Sequence, residues 1–168
     1  FMIERSIHFN SYEGLLTPSY GSRLVTAQLM AFSQHVWDLG ESAAYLGAAR
    51  DGLWDAGPKK YLYMVAENDS QVPNLASDIA ARMTDIPVLA DSSYIPWGTT
   101  VIDGPTTESA FISIDMGDRG TPRGNDSPDE DDGGYNTAAV TDEGVSMIVN
   151  FFETGEIAST CDGPCVLY

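Results

Sequence analysis

The sequence predicts an α/β fold, and three stretches carry that prediction. Residues 61–66 (Tyr61, Leu62, Tyr63, Met64, Val65, Ala66) are mostly apolar with no polar alternation, the pattern of a strand buried on both faces of a parallel sheet. The chain then breaks at Glu67-Asn68-Asp69-Ser70-Gln71-Val72-Pro73-Asn74 and resumes with Leu75, Ile79 and Met83 at four-residue spacing, the period of one helix face. A second apolar run at 110–114 precedes a long loop and a closing amphipathic stretch.

Each element follows from local chemistry. Residues 1–20 are mixed and turn-rich, with Gly14, Pro18 and Gly21 as punctuation. Ser22 can cap a helix in which Val25, Leu29, Phe32, Val36 and Leu39 alternate spacings of four and three, with Gly40 as its stop. A shorter helix is expected over 41–50. The strand at 61–66 comes next, then a helix from Pro73 to about Thr84. Proline suits its first turn, where the missing N–H is not needed. Residues 85–108, rich in Gly, Pro, Ser and Thr, predict no regular element. After the strand at 110–114, residues 115–136 read as an acidic, Gly-rich loop. Val145, Ile148, Val149 and Phe152 mark the apolar face of the last helix, which Gly155 ends.

At 168 residues and 43% apolar, the chain is large enough for one domain with a sizeable core. Its 8 Lys plus Arg against 25 Asp plus Glu give a formal net charge of −17, a field that repels phosphate backbones and anionic membranes. Nucleic-acid and lipid-surface partners are therefore not expected. No apolar run is long enough for a membrane-spanning helix. Cys161 and Cys165 frame Cys161-Asp162-Gly163-Pro164-Cys165, where Gly-Pro favours a tight turn that brings the thiols together. A disulfide closing so short a loop stabilises by about 2 kcal/mol on the chain-entropy model, and it would place the protein in an oxidising compartment. The rival readings are free thiols or half a metal site, and a zinc site is disfavoured because His8 and His35 are far away in sequence and no other thiol exists. The acidic run at 125–134 offers hard oxygen ligands for calcium, but Gly133 stands where a ligand is needed if Asp129 comes first, so a solvated loop is expected. No metal and no cofactor is expected.

Two strands and four helical stretches give a sheet too small to cover both faces, and the order α-α-β-α-β-α looks like the latter part of a larger α/β domain. Gln71-Val72-Pro73-Asn74-Leu75-Ala76, then Asn150-Phe151-Phe152-Glu153-Thr154-Gly155, then Thr160-Cys161-Asp162-Gly163-Pro164-Cys165 resemble the C-terminal half of a group of secreted or lipoprotein-type bacterial α/β hydrolases. The resemblance covers about residues 1–165. It implies the last strands, lid helices and closing helix of an α/β-hydrolase fold, incomplete as a domain on its own. Residues 1–57 become a lid- or cap-like helical segment, and 58–168 the last strands and helices of the core, with the acidic loop at 115–136 and the Cys-bounded tail at 161–165. It also implies a secreted, periplasmic or cell-surface location, and a partner: an N-terminal segment or chain that carries the rest of the sheet and the nucleophile. A small acyl compound is the substrate if the protein is active.

Ligands of open α/β sheets sit beyond the carboxyl ends of the strands, which puts Asp69 where such a fold keeps its chemistry. The rival reading is a solvated turn carboxylate before a helix. The resemblance gives Asp69 the role of the acid that orients a catalytic histidine. No Gly-x-Ser-x-Gly elbow occurs in the chain, so the nucleophile and its oxyanion hole are expected on a preceding segment. The stretch matching the family's histidine loop, Asp131-Asp132-Gly133-Gly134-Tyr135-Asn136-Thr137, contains no histidine. Tyr135 and Asn136 stand nearest that place; neither is a general base near neutral pH, since Tyr titrates at about 10 and the amide not at all. His8 and His35 both lie in the lid-like segment. His35, between Phe32 and Val36, is expected to pack, which leaves His8, in an irregular segment able to fold over the site, as the candidate base. Two functions follow: an ester-type serine hydrolase to which this chain supplies the acid loop, or a non-catalytic binding or assembly protein on the same fold.

Overall fold

The computed structural model describes residues 7–37, 40, 42–53, 55–69, 71–117 and 137–167. Three helices come first: α1 (Ile7–Tyr20), α2 (Arg23–Trp37) and α3 (Ser42–Asp51). They are followed by β1 (Leu62–Ala66), α4 (Asn74–Thr84), β2 (Val88–Leu89), β3 (Val101–Ile102) and β4 (Ala110–Ile114). A short 3-10 turn (Ala138–Val140) and α5 (Asp142–Thr154) close the described chain. The α/β class is the one the sequence predicts.

The sheet has four strands in the order β1-β4-β2-β3, and every pair is parallel. β4 lies inside it, with all of its residues buried. Its alternate side chains serve opposite faces. Ala110, Ile112 and Ile114 join Ala66, Ala138, Met147, Ile157 and Cys165 under α5 and the C-terminal tail. Phe111 joins Val65, Ala81, Ile86, Val88 and Tyr94 under α4. Both faces are thus covered, which is why the strand reads as mostly apolar, and its one polar member, Ser113, bonds through Oγ to the Tyr94 backbone at 2.9 Å. Tyr63 and Tyr94 each form a T-shaped pair with Phe111 at centroid distances of 5.5 and 6.2 Å, the geometry favoured by aromatic quadrupoles.

Four expectations change. Residues 85–108 contain two strands: Val88 N–H donates to Thr100 O at 2.8 Å and Ala90 N–H to Ile102 O at 2.9 Å. Each strand is two residues long, too short for a period to show in sequence. Residues 7–20 are helical rather than irregular, although Gly14 and Pro18 both oppose a helix. Pairing with α2 outweighs that local preference: Arg23 forks onto both oxygens of Glu13 at 2.6 and 2.8 Å, and Thr17 Oγ1 donates to Thr26 Oγ1 at 3.2 Å. Ser22 caps α2 as expected, its Oγ accepting Val25 N–H at 3.2 Å. The third change is which helix faces are covered. Phe32 and Val36 of α2 are 70% and 75% exposed. In α5 the buried residues are Gly144 and Met147, while Phe152 is 80% exposed. In α4 the buried residues are Asn74, Ser77, Ala80, Ala81 and Thr84, and Met83 faces out. Small side chains let α4 lie close on the sheet. The fourth change concerns Pro73, which is the residue before α4, with extended backbone, rather than a member of its first turn.

Thr141 caps α5 by accepting Gly144 N–H, and Gly155, at φ 72°, ends it in the left-handed conformation that glycine adopts without strain. The Cys161–Cys165 disulfide is formed. Beyond it the tail returns to the sheet, where Val166 bridges Asp115 in parallel. Among the described residues no strand pairs with the outer edge of β1, and no helix is long and apolar enough to cross a membrane.

Candidate functional site

The polypeptide leaving β1 is built to hold one carboxylate still. Glu67 N–H donates to Ile114 O at 2.8 Å, extending the ladder past the strand. Asn68 then takes a left-handed backbone, φ 60°, a conformation that asparagine tolerates better than most residues. Asn74, at the start of α4, clamps this turn from below: its Oδ1 accepts Asn68 N–H at 2.7 Å and its Nδ2 donates to Ala66 O at 2.7 Å. Asp69, only 5% exposed, accepts on Oδ1 the amides of Gln71 at 2.7 Å and Val72 at 3.0 Å. It is a buried, doubly bonded carboxylate rather than a solvated turn residue.

Asp69 faces a cavity of about 170 Å³ lined also by Tyr63, Val72, Ser77 and Ala138. Ala138 belongs to the 3-10 turn before α5, so the chain returning after β4 comes back to the carboxyl end of β1. Burial pushes the Tyr63 hydroxyl to a higher pKa than usual, against a hydrogen bond with Ser77 that lowers it. Behind this wall Tyr94 donates its hydroxyl to Asp78 Oδ1 at 3.0 Å. Burial, followed by the Asp78 carboxylate beside it, drives the Tyr94 pKa far above the normal phenol range. Glu67, 6% exposed, adds a second buried carboxyl at the same strand end.

A larger cleft, about 270 Å³, lies at the amino end of the sheet between Lys59, Lys60, Arg50, Asp85 and Glu108. Its size does not make it the better site. Arg50 is held by Asp51 at 2.7 and 3.1 Å and donates to the Thr84 carbonyl, while the backbone amide of Lys59 donates to the Ala49 and Arg50 carbonyls. Arg50 thus serves the C-terminal ends of α3 and α4, where positive charge offsets the helix dipole.

The other sequence-derived candidates do not assemble around Asp69. His8 lies in α1, a regular helix, and its side chain falls outside the described residues. His35, in the last turn of α2, is exposed rather than packed. Tyr135, Asn136 and the acidic run at 125–134 lie outside the described residues. Among the described residues no cluster of His, Cys, Asp and Glu is arranged to hold a metal ion. Sequence reasoning passed over Asn74, Tyr63, Ser77 and Tyr94. The available signal was polar residues, Asn74 and Ser77, set on what becomes the inner face of α4.

Family models, curated proteins and solved structures yield no match to this chain. Chemically, the site offers an immobilised carboxylate beside a small cavity. Such a group can orient an imidazole or receive a cationic or hydroxyl group, but it cannot by itself activate a serine.

Proposed function

We propose that this chain is the C-terminal part of an α/β-hydrolase-like protein and supplies the acid loop of an ester-type serine hydrolase acting on small acyl substrates. One observation carries the reading: Asp69, buried at the carboxyl end of a parallel strand, shares its cavity with Ala138, from the turn that leads into the closing helix. In a hydrolase the acid loop and the histidine loop meet at that place. The nucleophile comes from a preceding segment whose strands pair with the open edge of β1. The α2 stripe of Val25, Leu29, Phe32 and Val36 is left in water, as expected of a lid that packs on a larger body. The disulfide is the argument for export.

The second reading is a non-catalytic binding or assembly protein on the same fold. It is favoured by the sequence 131–137, which brings no histidine to the acid. Hydrolysis of a short acyl ester by the full-length gene product, then by Asp69→Asn and His8→Ala, separates the two. Turnover abolished by both substitutions supports a triad rewired through α1. Turnover indifferent to Asp69→Asn removes the carboxylate from catalysis, and absence of turnover in the wild type leaves the binding protein.

A further inference from the structure

We propose that the Cys161–Cys165 disulfide is a redox latch: it keeps the C-terminal tail seated on the end of β4, and a dithiol reductant releases it. The inference rests on the geometry of the tail and not on the hydrolase reading. The bridge spans a sequence separation of only 4, so it does not tie the tail to the body. Backbone bonds do that. Cys165 N–H donates to Asp91 O at 2.7 Å, Asp115 N–H to Cys165 O at 2.9 Å, and Leu167 N–H to Asp115 O at 2.7 Å. The bridge fixes the turn so that these bonds stay in register.

The two sulfurs differ in access. Cys165 is fully buried, in the same cluster as Ala66 and Ala138, which line the Asp69 cavity. Cys161 is only partly covered. A reductant thiolate therefore attacks Cys161 Sγ, and the S–S bond breaks with its electron pair going to Cys165 Sγ, which takes up a proton. The second thiol of the reductant then displaces Cys161 as a thiol, leaving the reductant as its disulfide. Ser159 Oγ accepts Cys161 N–H at 3.2 Å and lies 3.8 Å from Cys165 Sγ. Its hydroxyl is placed to donate to the departing sulfur. Release loosens the tail beneath Ala66 and Ala138 and so relaxes the floor of the cavity, while the β1–β4 ladder does not depend on it.

The test is residue-resolved hydrogen exchange on the full-length gene product before and after dithiothreitol, with reduction verified by alkylation and mass. The chain-entropy value of so short a loop predicts exchange at the Asp115, Cys165 and Leu167 amides about thirtyfold faster once reduced, with the Ile112 amide in β4 unchanged. Unchanged protection in fully reduced protein overturns the latch. Equal loss at Ile112 also overturns it, because the bridge is then a staple for the whole fold. Ser159→Ala is expected to slow reduction several-fold without altering tail protection in the oxidised state; an unchanged rate removes Ser159 from the mechanism. If Cys161→Ser/Cys165→Ser fails to fold, the reversible titration of the native protein still decides.

Discussion

Replacing Asp69 by asparagine and by alanine separates its structural duty from its chemical one. Oδ1 satisfies two backbone amides, at 2.7 and 3.0 Å, in a residue 5% exposed. Asparagine keeps a carbonyl acceptor for both and loses only the charge, a cost of about 1 kcal/mol. Alanine leaves both amides without that partner. At roughly 1–3 kcal/mol for each buried unsatisfied donor, less what entering water restores, the cost is about 3 kcal/mol. With a urea m-value of about 2 kcal/mol/M, the denaturation midpoint should fall by about 0.5 M for asparagine and about 1.5 M for alanine. Ester turnover, if the acid orients a base, should fall by orders of magnitude in both, because an amide cannot stabilise an imidazolium as a carboxylate does. Equal midpoints for the two variants would refute the burial argument. Activity that tracks stability, kept by asparagine and lost by alanine, would refute the catalytic one.

Asn74→Ala removes both clamps on the acid loop and should cost about 2 kcal/mol; amide exchange at Asn68 should accelerate while Ile112 stays protected. Gly144→Ala places a methyl 2.1 Å from Ala138 O and 3.0 Å from Thr141 Oγ1, so the 3-10 turn must part from α5, at about 3 kcal/mol read by thermal unfolding. Tyr63 and Tyr94 have raised pKa values in the fold, chiefly from burial. Their stabilisation is complete below the unfolded phenol pKa of about 10 and is lost as pH climbs above it, because only the unfolded chain then ionises. Urea midpoints at pH 8 and pH 11 should therefore diverge, and Tyr63→Phe/Tyr94→Phe should narrow the gap. Ultraviolet titration in which every tyrosine ionises near 10 would contradict this.

The parts of this fold legible in sequence are those with enough residues to show a period or a signature. The strands at 62–66 and 110–114, the Ser22 cap and the Gly155 stop were all readable. β2 and β3 were not, because two residues carry no period and their pairing is decided by β4. The faces of α4 and α5 were misjudged for a related reason. Leu75, Ile79 and Met83 mark a helix period, but the sheet selected Ala81, clustered with Phe111 and Val65, because close approach rewards small side chains over large ones. Around the site, the position of Asp69 was legible from the strand–loop–helix pattern. Its clamp by Asn74 was not, since that depends on Asn68 adopting a left-handed turn.

The place of β4 between β1 and β2 has a consequence for how the chain acquires its shape. Among the described residues β1 pairs with β4 alone, Leu62 opposite Ala110 through Ala66 opposite Ile114, and β2 reaches β1 through β4. No described element made before β4 can join β1 to β2. A nascent chain therefore carries two open parallel edges until residues 110–114 leave the ribosome, and its central contacts are long-range in sequence, the condition for slow folding. During that interval the exposed strand edges invite wrong partners, so the yield of this protein should depend on the time between synthesis of β1 and arrival of β4 more than on the stability of either strand.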